Sequence, residues 1–572
     1  MKEEQKNLII FVALAAFILF AWEPVMRWIA PGLFPKPQAQ VQTVDKGKPG
    51  PAPSAPANAD PAADGAKAGR DRQAVLAETP RVQIDTPTLK GSINLKGARI
   101  DDLVLSQYDQ TVAKGSPAIR LLSPAGAPQS YFAGFGWSGT NIPAPDGNTV
   151  WHASAPRLTP GHPVVLSATK GSLNYRITLS VDDKYMFTVQ QQVGNAGAVP
   201  VQISPYAYIS RAEKSPDPDQ WTANVGPIVD HDGGTHYLNW GDVPAGEQTF
   251  ANKGGWLGFT DHYWLTALVP GQASSNTLSF RSRGESAFQA NLTPASATLL
   301  PADKTLTTST RFFAGAKEVN LLDTYEEQAG IPRFGRAIDW GWFEILEKPI
   351  FHYLHWLYRM IGNFGIAIIC LTLTIRGFLF PIAQRQFKSM AQMRAVQPKM
   401  KALQEKHKED KTKLQEEMMK LYKEEKVNPL GGCAPTLLQI PIMFALYKVL
   451  ILSIEMRHKP FTLWIHDLSA PDPLTPVNLF GLLPFDPPGF LHIGVVPILL
   501  GISMYYQFKL NPTPMDETQK QVFAIMPWMM MFLMAPFAVG LQIYWITSNI
   551  ITIAQQQFLY SRHPALKEKP AT

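Results

Sequence analysis

The stretch "FGIAIICLTLTIRGFLFPIA", residues 364–383, decides the fold. At the helical rise of about 1.5 Å per residue it reaches about 30 Å, the thickness of a bilayer's hydrocarbon core. Arg376 lies in the inner part of this run. A buried arginine at such a place costs roughly 2.5–3.5 kcal/mol on insertion scales. The run therefore reads as a membrane span that carries a charge for a reason.

Outward from it, the chain is divided. Four more apolar runs follow, at 433–453, 491–510, 521–538 and 541–560. Another opens the chain, Leu8 to Trp22, with Lys2 and Lys6 before it. No small-x-small cleavage site follows that run; Trp22, Glu23 and Pro24 do, which favours an uncleaved anchor over a signal peptide. Six spans result. Between the first two of the later runs lies a segment loaded with Lys and Arg, 384–427, which the positive-inside rule places in the cytoplasm. Both termini are then cytoplasmic and residues about 31–340 lie outside the membrane on the far face. The tail, 563–572, is basic and agrees.

The middle of the chain has another character. Residues 31–80 are Pro, Ala, Gly and Gln with almost no large apolar side chains, a tether and not a core. From 81 to 316, runs such as "NYRITLSVDDKYMFTVQQQV" (174–193) alternate at period two between Gly, Pro, Asn and Asp breaks. That is the pattern of antiparallel strands in one large β-sandwich. Residues 317–362 form a connector and a helix with Trp340, Trp342, Tyr353, His355, Trp356, Tyr358 and Arg359, the composition of an interfacial amphipathic helix. The fold class is thus a polytopic α-helical membrane protein of six transmembrane helices, 1–30 and 363–562, with a large external antiparallel β-sandwich.

Composition excludes several functions. A net charge of +6 over 572 residues gives no sign of nucleic-acid specificity. Two cysteines, Cys370 and Cys433, do not make a disulfide framework. There is no Walker loop, Gly-x-Ser-x-Gly or His-Glu-x-x-His, and no cofactor is expected. "VDHDGGTHY" (229–237), with Asp230, His231, Asp232 and His236, reads as a hairpin turn in preference to a metal site. Trp221, Trp240 and Trp256 read as core packing more readily than as a groove. His466–Asp467 reads as a capped turn, and the spans lack the paired Asp or Ser/His that an intramembrane protease requires.

Arg376 has no acidic partner in the later spans, which contain no Asp or Glu. Either it snorkels to the inner surface or it faces a wet cavity. Arg385 lies about 13 Å further along the helix, a long reach for one side chain. Polar residues offer a cavity wall: Thr372 and Thr374 beside it, Gln439 in the next span, and Gln542, Tyr544, Ser548 and Asn549 in the last. The bland alternative is ordinary interhelical hydrogen bonding. In the basic segment, helical spacing predicts two antiparallel helices with a break near Glu409–Asp410. Met390, Met393, Met400, Met418 and Met419 make either their seam or an adaptable contact surface.

"KVNPLGGC" (426–433), "LWIHDLSAPDP" (463–473) and "SNIITIAQQQFLY" (548–560) resemble the YidC/Oxa1/Alb3 membrane protein insertases, in the domain order of the Gram-negative bacterial type. The resemblance is strong over 335–562 and weaker over 81–316. It implies a membrane protein insertase and chaperone of the inner membrane, not an enzyme, working alone or with the Sec translocon on nascent membrane proteins. It implies a five-helix core around a hydrophilic groove, with Arg376, Thr372, Tyr544 and Trp545 along the substrate path. Trp545 stands where a Tyr is common, which puts a hydroxyl role there in doubt. The 384–427 hairpin is implied to receive substrate, with the ribosome or targeting factors at the cytoplasmic face; the short tail speaks against strong tail-mediated ribosome binding. The β-domain is implied to be a sugar-binding-like supersandwich that need not bind sugar. The competing reading is a small-anion transporter using Arg376, which predicts internal repeats that are not evident.

Overall fold

The computed structural model describes residues 69–216, 223–243, 246–283, 286–407, 410–425, 434–480, 482–483, 485, 493–510 and 517–562. The anchor run 8–22, most of the tether, Trp221 and the tail lie outside the described residues. So do the side chains of Trp342, Met390, Met393 and Gln439. The chain divides into a β unit that ends at Trp342 and a helical unit that begins at Phe343.

The β unit holds two sheets, of eleven and nine strands. The alternation predicted for 174–193 is realised as strands Leu173–Val181 and Met186–Asn195, paired antiparallel with Phe187 opposite Val181. Asp182 makes their turn, its Oδ1 accepting from the Lys184 and Met186 amides at 2.9 and 3.0 Å. Apolar residues at every second position face the other sheet. Phe135 of the larger sheet meets Phe312 of the smaller at 6.3 Å between ring centres, and Trp137 meets Tyr175 at 5.0 Å. One pairing departs from the antiparallel expectation: Arg81–Asp85 runs parallel to the short strand Arg157–Leu158, so the larger sheet is mixed.

The "VDHDGGTHY" segment is a hairpin. Strands Gly226–His231 and Gly234–Tyr237 flank a two-residue loop, Asp232 and Gly233, with φ of 48° and 79°. Such left-handed pairs suit the twist of a tight hairpin. Asp230 is buried and both its oxygens are taken, by Arg333 Nη2 and Nε at 2.7 Å and by Thr235 Oγ1 at 2.9 Å. His231 stacks on His236 at 4.4 Å, and its burial lowers its pKa below the usual histidine value. Trp256 is fully buried and donates to the Pro332 carbonyl at 3.0 Å, while Trp240 stacks on Phe259.

The helical unit contains helices Glu344–Ile361, Phe364–Lys406, Lys411–Glu424, Ala434–Leu452, Val495–Leu510, Glu517–Met534 and Val539–Arg562. Gly362 ends the first in the left-handed conformation, and Asn363 caps the next by accepting from the Ile366 amide at 3.1 Å. The arginine helix does not stop at its membrane boundary. It continues through Gln384 to Lys406 as one element, so the first arm of the hairpin is a direct extension of the span. The chain turns between Lys406 and Lys411, where Asp410 accepts from the Lys413 amide at 3.1 Å. Val396 and Leu421 form the buried hairpin seam, with Met400 and Leu403 packed against them. Met418 is half-buried and Met419 exposed, so these methionines divide between seam and surface.

By length and apolarity, Phe364–Gln384 qualifies as a membrane span. Shorter apolar helices are Pro441–Leu452, Val495–Leu510 and Phe523–Met534.

Candidate functional site

The last helix, Val539–Arg562, organises the site because it packs against both the arginine helix and Val495–Leu510. Its Ser548 and Asn549, about 100° apart around the axis, serve these two neighbours separately. Arg376 Nε donates to Ser548 Oγ at 2.9 Å, and Nη2 donates to the same oxygen. Asn549 Nδ2 donates to Ser503 Oγ at 2.9 Å, and Ser503 in turn donates to the Leu500 carbonyl at 2.7 Å. Arg376, Ser548, Asn549 and Ser503 thus make a polar track across three helices.

A guanidinium has five N–H donors in a fixed fork. Ser548 is a neutral acceptor, and no ion pair involving Arg376 is found among the described residues. Among the described residues the charge is held in place without being neutralised. Tyr544, buried one turn before Ser548, lies within electrostatic reach of Arg376. The remaining N–H donors of such a guanidinium can hydrogen-bond an anionic group or water.

Other residues expected at the site make their contacts elsewhere. Thr372 is buried one turn from Arg376, but its hydroxyl donates to the Ile368 carbonyl of its own helix at 2.7 Å. Thr374 donates to the Cys370 carbonyl at 2.9 Å and meets the Tyr353 hydroxyl of the preceding helix at 3.0 Å. Gln542 ties the turn before the last helix, its Nε2 donating to the Met534 and Phe537 carbonyls at 2.9 Å. Trp545 packs with Leu500, Met504 and Met534. Ser503 was not anticipated; a serine within "LLGISMYYQF" (499–508) was its only signal in the sequence.

The end of the unit at which the arginine helix starts is closed. Ile454, Met456, Ile465 and Leu468 are buried there. The Val539 and Gly540 amides donate to the Ala470 and Leu468 carbonyls at 2.9 Å. Gly365 has no room for a Cβ because the Phe461 ring lies against it. Asp467 holds its turn by accepting from Ser469 N at 2.8 Å and Oγ at 2.6 Å. Asp472 is 1% exposed and accepts from Trp464 Nε1 at 3.0 Å, Leu474 N at 3.0 Å and Val496 N at 2.7 Å. Beside Arg376 the arginine helix is open, with Leu373 and Phe378 exposed. No cluster of three or more His, Cys, Asp or Glu fit to hold a metal occurs among the described residues.

Known proteins match this chain along most of its length. Residues 81–353 match the family profile described as the YidC periplasmic domain, and 356–567 that of the 60Kd inner membrane protein. The membrane protein insertase YidC of Zymomonas mobilis is 44% identical over 576 residues, covering 99% of this chain and 97% of that protein. The chain belongs to the YidC family. The YidC insertase of Methylorubrum extorquens is 42% identical, covering 98% of this chain and 96% of its own. The crystal structure of an active YidC insertase with its first transmembrane domain resolved aligns over 83% of this chain and 92% of that one, at 18% identity and a TM-score of 0.37. As a YidC family member the chain is a multi-pass inner-membrane protein with a periplasmic domain.

Proposed function

We propose that this protein is a membrane protein insertase and chaperone: it receives nascent membrane proteins in the polar pocket around Arg376 and releases them sideways into the inner-membrane bilayer. The observation that carries this reading is a cation deep in an apolar helix, held by the neutral Ser548 and left without a countercharge among the described residues. The full-length match to proteins named membrane protein insertase supports it. The role needs no covalent chemistry.

In this reading six spans cross the membrane, five of them forming the core. Residues about 31–340 are periplasmic and both termini are cytoplasmic. The membrane potential then assists export, since each acidic charge moved outward gains about 2.3 kcal/mol per 100 mV. Arg376 supplies a resting place for that charge half-way, while the open flank at Leu373 and Phe378 lets an apolar segment reach lipid. The hairpin 384–427 meets the chain first, and its exposed Met419 fits an adaptable apolar contact. The Sec translocon is a partner for larger clients, and the ribosome or targeting factors are partners at the cytoplasmic face.

The test is reconstitution. Proteoliposomes containing only this protein are expected to protect from protease the short acidic outer tail of a newly synthesised single-span protein, and empty liposomes are not. Equal protection by both would contradict the reading. Uptake of a small anion without any tail protection would favour the transporter.

A further inference from the structure

Among its described residues (475–480, 482–483 and 485), the segment 475–485, between helices Ala434–Leu452 and Val495–Leu510, combines two properties that water does not favour together. Its large side chains point out: Leu482 is 82% exposed and Phe480 53%, with Leu479, Leu483 and Phe485 also exposed. Its backbone turns inward. The Val477 amide is capped by Thr475 Oγ1 at 3.3 Å, and the Leu479, Phe480, Leu482, Leu483 and Phe485 amides each donate to a carbonyl within the loop at 2.9–3.3 Å. In hydrocarbon every backbone polar group must be satisfied internally, because no water is there to do it. The described part of the loop exposes apolar side chains while six of its amides are satisfied from within, which goes a good way toward that requirement.

Two further observations concern the shape and attachment of the loop. Leu479 and Phe480 have φ of 52° and 60°, a conformation bulky residues rarely adopt. This strain turns successive apolar side chains outward. The base of the loop is also bolted to the bundle. Asp472 accepts from the Leu474 and Val496 amides, and the Val495 amide donates to the Leu474 carbonyl at 3.0 Å. The loop is thus held beside the first turn of a helix that itself runs into the membrane.

We infer that the 475–485 loop is an interfacial anchor whose Leu479, Phe480, Leu482 and Leu483 side chains insert among the acyl chains of the adjacent leaflet, which is the periplasmic one in the orientation proposed above. This inference rests on the helices being membrane spans, and the test separates the two claims. A fluorophore sensitive to polarity is attached through Leu482→Cys in full-length protein whose two native cysteines are replaced by serine. Leu373→Cys, on the arginine helix, is the deep control, and Val199→Cys, exposed on the β unit, is the aqueous one. Each is reconstituted in vesicles whose lipids carry a nitroxide either near the headgroup or deep in the acyl chain. At Leu482 the shallow nitroxide is expected to cut emission to about half and the deep one to do less, as for side chains seated at the headgroup–acyl boundary. If Leu482 behaves like Val199 while Leu373 is quenched by the deep nitroxide, the loop lies in water and the inference is overturned. If Leu373 is also unquenched, the membrane reading of the helices fails and the inference with it.

Discussion

Replacing Arg376 by alanine is expected to lower insertion of an acidic-tailed client at least about tenfold, while Arg376→Lys retains most of it. Opposite unit charges 4–8 Å apart at an effective dielectric near 20 interact by about 2–4 kcal/mol. A tenfold change corresponds to about 1.4 kcal/mol, so even part of that interaction gives a readable loss. Lysine keeps the charge but not the planar fork that grips Ser548 Oγ with Nε and Nη2. With a neutral tail of the same length, the alanine variant should differ little from the wild type. The comparison is read as protease-protected tail in proteoliposomes. An equal loss on acidic and neutral tails would mean that Arg376 orders the helices and does not attract the client.

Asp472→Ala is expected to produce the largest loss of stability in the helical unit. The carboxylate is buried and holds three donors: Trp464 Nε1, the Leu474 amide and the Val496 amide. Each buried donor left without a partner costs about 1–3 kcal/mol. Even the lower end of that range lowers the midpoint of thermal unfolding by about 6 °C or more for a unit of this size. Asp472→Asn keeps one acceptor oxygen and should lose less. Gly494→Ala should move the same way, since its new methyl would fall on the Asp472 side chain. Unfolding in detergent, followed by tryptophan emission, checks all three. An unchanged midpoint for the alanine variant would show that the closed end does not depend on this carboxylate.

The sequence revealed the strands because alternation at period two is a local property, and the 173–195 hairpin follows it closely. It also revealed that the later spans offer Arg376 no acid, because they contain none. It could not reveal which helix faces meet. Ser548 and Asn549 are neighbours in the chain, yet they serve different helices, and only the packing of the last helix between two others decides that. Thr372, close to Arg376 by helical spacing, satisfies itself on its own backbone. Buried threonines in helices commonly do so, and periodicity cannot distinguish this from a hydroxyl that lines a cavity. Asp472 has no comparable signal: in the sequence it is one Asp between two prolines, and that it caps a helix more than twenty residues later is a tertiary fact.

The central claim is that client chains pass the Arg376–Ser548 pocket. It is tested most directly by cross-linking a stalled nascent membrane protein, carrying a single cysteine in its apolar segment, to cysteines placed one at a time in the last helix. Ser548→Cys replaces the residue bonded to Arg376, and Ile550→Cys, 56% exposed, lies about 200° further around the same helix. The account predicts a strong disulfide cross-link at Ser548 and a weak one at Ile550. Equal cross-linking at both, or cross-linking at Ile550 alone, would contradict it.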